Sequence, residues 1–121
     1  MKIYTTYFAR VPKLPDGIVP IAVCLFPPSG WNKPHCIQLA PQYSVFKRYK
    51  GNSDFAEFTR SYVETTLSRL SIDYILDYFQ RYGDGKDIAI VCYEKSPFMC
   101  HRSIIAEWLK YNNIEVSEWN P

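Results

Sequence analysis

No stretch of this chain is apolar for long enough to cross a bilayer, and its amino end lacks the basic start and apolar core of a signal peptide. A cytoplasmic protein with no membrane partner is therefore expected. Cysteine is sparse, with residues at 24, 36, 92 and 100 that do not form the dense framework of a small secreted domain, so reduced thiols are expected, with a disulfide between some pair as the alternative. A surplus of one charge sign is also missing. Fourteen basic against twelve acidic residues leave a formal charge of +2, which gives no global signal for nucleic acid and leaves only local basic clusters to consider. Neither a Walker loop nor a glycine-rich dinucleotide fingerprint is present, so ATP hydrolysis and hydride transfer are not expected, and no cofactor is predicted. Internal repeats and low-complexity tracts are absent as well.

What remains is an aromatic-rich chain, 47% hydrophobic, a composition that favours an ordered globule over disorder. At 121 residues it is long enough to bury one core and too short for two, so residues 1–121 are read as a single domain.

Residues 2–8 are β-branched and aromatic, as in a strand, and residues 11–17 hold two prolines and Asp16-Gly17, as in a surface turn. A second apolar run at 18–26 tolerates Pro20 near its start. Prolines and Gly30 make 27–34 a stiff loop, and 35–39 is expected to pair briefly as an edge strand. Ser53 or Asp54 caps a helix whose stripe of Phe55, Phe58, Tyr62, Leu67 and Leu70 covers roughly five turns. Ile72, Ile75, Leu76 and Phe79 carry another helix to Tyr82, stopped by Gly83-Asp84-Gly85. The nearly unbroken apolar run at 87–93 predicts a strand covered on both faces. The next helix is expected from about Pro97 to Tyr111, with Ser96 as N-cap and Pro97 in the first helical position, and 114–119 alternates as a final strand. Strands alternating with helices imply a three-layer α/β domain of Rossmann-like type, with a mainly parallel sheet and helices on both faces. Ligands of such sheets sit beyond the carboxyl ends of the strands.

That rule places five chemically capable side chains beside one crevice: Cys92 and Glu94 at the end of the central strand, and Cys100, His101 and Arg102 in the first turns of the helix after it. A thiol near a helix N-terminus and a cation has its thiolate stabilised, so Cys92 or Cys100 is a candidate nucleophile; the alternative is two small hydrophobes packing strand against helix. Cys92, Glu94, Cys100 and His101 match zinc ligands by type but not by spacing. Successive helical side chains also diverge by about 100°, and no metal is predicted. Glu94 and Arg102 are read as an ion pair, or as an anion-binding arginine beside free helix amides with an acid or base next to it. His101 is a candidate base or a backbone cap. Arg10 and Trp31 reach the same crevice as ligand contacts, the tryptophan by stacking. Tyr43, Phe46, Lys47, Arg48, Tyr49 and Lys50 mix aromatic and basic groups as a base-stacking, phosphate-neutralising surface would, or as a solvated helix end would.

Cys92-Tyr93-Glu94, five residues, then Cys100-His101-Arg102 and the helix of Ala106-Glu107-Trp108-Leu109 resemble the C-x-E-x5-C-H-R signature of domain-of-unknown-function family 488 (DUF488). Ile3-Tyr4-Thr5, Leu39-Ala40-Pro41, the helix near Phe55 and Glu118-Trp119 are similar to its short phage and bacterial members. An Asp-x-Arg pair carried by many members is absent from residues 22–26. The residues and the resemblance together lead to one expectation, a small domain that binds or acts on a nucleotide, nucleoside or nucleic-acid fragment. Arg10, Trp31 and Arg102 would hold the small anionic ligand, and Cys92, Glu94, Cys100 and His101 would supply any chemistry. The alternative is a non-catalytic protein of phage type that sequesters a nucleotide or binds a host protein.

Overall fold

The computed structural model describes residues 1–96 and 99–121. Its architecture grows from strand β3 (Asp87–Cys92), in which every residue from Ile88 to Cys92 is at most 2% exposed. A strand with no polar alternation has to be covered on both faces, and this one is. It lies between β2 (Ile18–Ala22) and β1 (Ile3–Tyr7), and β4 (Val116–Glu118) pairs with the far side of β1. All pairings are parallel, in the order β2-β3-β1-β4, so all carboxyl ends point the same way. The register sets Tyr7 beside Cys92, and Ile21 and Thr5 on either side of Ile90. Pro20 falls in an edge strand, where its missing donor costs no ladder bond on the open side.

Among the described residues, four α-helices complete the three-layer α/β domain: α1 (Tyr43–Asn52), α2 (Phe55–Thr65), α3 (Ile72–Tyr82) and α4 (His101–Tyr111). Ile88, Ile90 and Cys92 share one face of β3 because strand side chains alternate. They join one apolar cluster with Phe58 and Tyr62 of α2, Ile75 and Phe79 of α3, and Ile105 and Leu109 of α4. Asp54 caps α2 by accepting from the Glu57 amide, and Ser71 caps α3 by accepting from that of Tyr74.

Several boundaries differ from the sequence expectations for local reasons. Strand β2 ends at Ala22, whose outer edge takes up residues 34–36: Ala22 N donates to Pro34 O at 3.0 Å and Cys36 N to Ala22 O at 2.8 Å, while Val23 N still donates to Val91 O at 3.1 Å. The expected edge strand at 35–39 is only a bridge from His35 to Ala22, followed by a 3-10 turn over Ile37–Leu39. The five-turn helix expected from Phe55 ends at Thr65. Thr65 Oγ1 and Ser68 Oγ donate to the carbonyls of Ser61 and Glu64, an alternative to regular continuation, and Leu67 enters a 3-10 turn instead. Helix α4 starts at His101, with Cys100 rather than Ser96 as its N-cap residue. The expected first position, Pro97, lies outside the described residues.

Candidate functional site

Beyond the carboxyl ends of β2 and β3 lies a cavity of about 160 Å³. Cys24 and Leu25 line it beyond β2, and Cys92, Tyr93 and Glu94 line it beyond β3. The start of α4 contributes Cys100 and His101, and α1 and α2 contribute Phe46, Tyr49, Lys50 and Phe58. A more open recess shares Tyr49, Lys50, Glu94 and Met99 with this cavity and adds Ser53, Lys95 and Ser96. The inner space is therefore largely apolar and aromatic, and the outer one is polar with two lysines. Ring contacts run from Tyr49 to Phe58 (4.8 Å), Phe58 to Tyr62 (5.9 Å) and Tyr62 to His101 (5.6 Å), tying the cavity wall to the core.

Cys92 and Cys100 are joined as a disulfide, which corrects the expectation that all four cysteines are reduced. Their Cα atoms are 7.6 Å apart, spanning the gap between strand end and helix start. Cys24 and Cys36 are free thiols, and burial pushes each up to about 11, so both are neutral hydrophobes rather than nucleophiles.

Arg102 is fully buried, and its donors are taken by the protein itself. Nε and Nη2 donate to the two carboxylate oxygens of Glu118 at 3.2 and 3.0 Å, Nη2 also to Lys95 O at 3.1 Å, and Nη1 to Glu94 O. Nη1 lies 3.3 Å from Cys92 Sγ, and the guanidinium sits over the Tyr7 ring at 5.8 Å. The expected ion pair with the Glu94 carboxylate is replaced by one with Glu118. An arginine so completely satisfied positions the 92–95 loop, and the anion-binding role expected of it has no free donor directed at the cavity.

His101 is buried and hydrogen-bonded through Nε2 to Val23 O at 2.8 Å. A carbonyl only accepts, so Nε2 carries the proton and the lone pair of the neutral ring is on Nδ1. Burial, opposed by the hydrogen bond to the Val23 carbonyl and reinforced by the Arg102 charge, lowers its pKa to about 4. The ring, which lines the cavity, is thus neutral near pH 7 and has Nδ1 as its acceptor.

Of the other expected site residues, Glu94 stands at the mouth with an exposed side chain. Arg10 and Trp31 are not among the residues lining either space. Arg10 Nη1 donates to Trp119 O at 3.0 Å, and Trp31 donates to Pro34 O while its ring meets Phe8 edge-on at 5.1 Å. Phe8 in turn packs on Tyr93 at 4.6 Å, so the tryptophan braces the cavity from behind. The basic and aromatic patch divides: Phe46, Tyr49 and Lys50 face the cavity, whereas Arg48 pairs with Glu57 at 3.2 Å. Sequence reading gathered residues 92–94 at the crevice but missed Met99 and Lys95 as lining residues and Glu118 as the counter-charge. The i, i+3 and i, i+4 spacing of Phe46, Tyr49 and Lys50 was the signal available for α1.

Against known proteins, the family model described as "DUF488-N3a: Active DUF488-N3 subclade" matches residues 3–113. No curated protein and no solved structure matches the chain.

Proposed function

The chain belongs to the DUF488 family, and we propose that it binds or acts on a nucleotide, nucleoside or nucleic-acid fragment in the crevice beyond β2 and β3. The observation that carries this reading is the pairing of two spaces through shared walls. An aromatic cavity lined by Phe46, Tyr49, Phe58 and Tyr93 suits a planar base, and the recess that shares Tyr49 and Lys50 with it holds two lysines for a phosphate. The anion role passes from Arg102 to Lys50 and Lys95, both exposed. Glu94, at the junction of the two spaces, orients a ligand hydroxyl or takes its proton. Arg102 acts through the loop that carries Glu94 and is a positioning residue.

A catalytic role is favoured by the name of the matching subclade, which calls it active. A sequestering role is favoured by the Cys92–Cys100 disulfide, which leaves no free thiol among the residues that would attack a ligand. Native mass spectrometry of protein purified without added ligand, followed by denaturation and identification of what is released, tests the binding reading. A nucleotide-sized anion that disappears in the Lys50→Ala/Lys95→Ala double variant supports it. A protein that is empty and stays empty through a nucleotide and nucleoside panel overturns it. Ligand returned chemically unchanged points to sequestration, and turnover lost in Glu94→Gln with the fold retained points to an enzyme.

A further inference from the structure

We propose that the reduced protein binds one divalent metal ion of zinc type between Cys92, Cys100 and His101, with a fourth coordination position open to the cavity. The three side chains bring two sulfurs and an imidazole nitrogen within 4.8 Å of one another. A tetrahedral zinc with its usual bond lengths sets donor separations of roughly 3.5–3.8 Å, so once the bond between the sulfurs is broken they have to part while the imidazole nitrogen stays within reach. The backbone spacing agrees. With the sulfurs reduced, a Cα separation of 7.6 Å leaves room for an ion between them.

Adjacent ligands at 100 and 101 are compatible here because Cys100 is not helical. Its backbone is extended (φ −131°, ψ 145°), and the helix begins one residue later, so the 100° divergence of successive helical side chains does not apply. Outer contacts of the kind that orient metal ligands are already in place. His101 Nε2–H donates to Val23 O, which leaves Nδ1 as the ligating atom, and Arg102 Nη1 points at Cys92 Sγ from 3.3 Å. Charge also balances: two thiolates offset the ion, and Glu118 offsets Arg102. Two soft sulfurs and one imidazole select a zinc-type ion over magnesium or calcium. Three protein ligands that all line one cavity leave the fourth site to water or to a ligand atom, the arrangement of reactive rather than purely structural zinc.

Forming the site requires reduction. A dithiol reductant supplies two electrons and two protons, the S–S bond breaks, and the reductant becomes a disulfide. The ion then binds as both cysteine protons leave to solvent.

The inference shares the cavity of the proposed function but not its ligand, and its test contains no nucleotide, so either can fail alone. The full chain is reduced, stripped with chelator and titrated with Co²⁺, then with Zn²⁺. The expected result is one equivalent of Co²⁺ with thiolate-to-cobalt charge-transfer absorption, displaced by Zn²⁺, which shields Cys92 and Cys100 from alkylation as read by peptide mass spectrometry. Cys36→Ala keeps this uptake, and Cys92→Ser and Cys100→Ser each lose it. A reduced wild-type protein that holds its circular dichroism, shows four titratable thiols and takes up neither ion overturns the proposal. If reduction unfolds the metal-free chain, refolding by Zn²⁺ supports it and failure to refold overturns it.

Discussion

Arg102 and Glu118 meet as a two-point ion pair, Nε to Oε1 at 3.2 Å and Nη2 to Oε2 at 3.0 Å, with the arginine wholly buried and the glutamate 23% exposed. Thr5 Oγ1 also donates to Glu118 Oε1, at 2.6 Å, so the carboxylate links β1, β4 and α4. The unequal burial makes the two partners unequal in mutation. Glu118→Ala strands a buried cation and is expected to cost about 3–5 kcal/mol. Arg102→Met leaves a carboxylate that can reach water and should cost less. Urea denaturation of the two variants gives the order, and a larger loss in Arg102→Met would refute this account.

Gly83 ends α3 under close contact. A Cβ there would lie 2.5 Å from Phe79 O and 2.6 Å from Ile88 Cγ2, in a backbone conformation (φ −81°) that any residue can adopt. The limit is space rather than torsion. Gly83→Ala is expected to destabilise by about 1–3 kcal/mol by overpacking, read as a fall in Tm, whereas alanine at Gly51, with nothing within 4 Å, should not.

Cys36 sets an alkaline limit on stability. Burial raises its thiol from 9.0 to about 11 in the folded chain, so the folded state holds a proton that the unfolded state releases above pH 9. Its contribution is complete below pH 9 and is lost as pH rises toward 11, by at most about 1.4 kcal/mol per pH unit. Cys36→Ala should flatten the fall in ΔG between pH 9 and 11 in chemical denaturation. An unchanged slope would assign that fall to other groups.

The cysteine pairing predicts a thiol count. Protein handled without reductant, then denatured and alkylated, should carry label on Cys24 and Cys36 only, and on all four cysteines after reduction. Label on Cys92 in the untreated sample would place the protein in its dithiol state as isolated.

Burial drives most of what was legible in the sequence. The apolar run at 88–92 could only be a doubly covered strand, and the 3.6-residue stripe of Ile72, Ile75 and Phe79 could only be an amphipathic helix. The crevice followed from the parallel strand direction, and Cys92, Glu94, Cys100 and His101 do line it. What was not legible depended on contacts distant in sequence. Glu118 lies sixteen residues beyond Arg102, whereas Glu94 is nearer in sequence and equally charged, so local reading paired the wrong carboxylate. The convergence of Cys100 and His101 was hidden because one extended residue separates loop from helix, and no periodicity records it. Arg10 and Trp31 were assigned to the crevice by strand-end logic, which fixes a loop's position but not where its side chains find partners.

The counter-charge of Arg102 also ties the start of α4 to β4. Glu118, the carboxylate that offsets the buried arginine, belongs to the strand that pairs with β1. Burying the arginine without that charge would cost about 3–5 kcal/mol. A chain truncated before Val116 is therefore expected to hold α4, and with it Cys100 and His101, less firmly against the sheet, read as faster amide exchange in that helix.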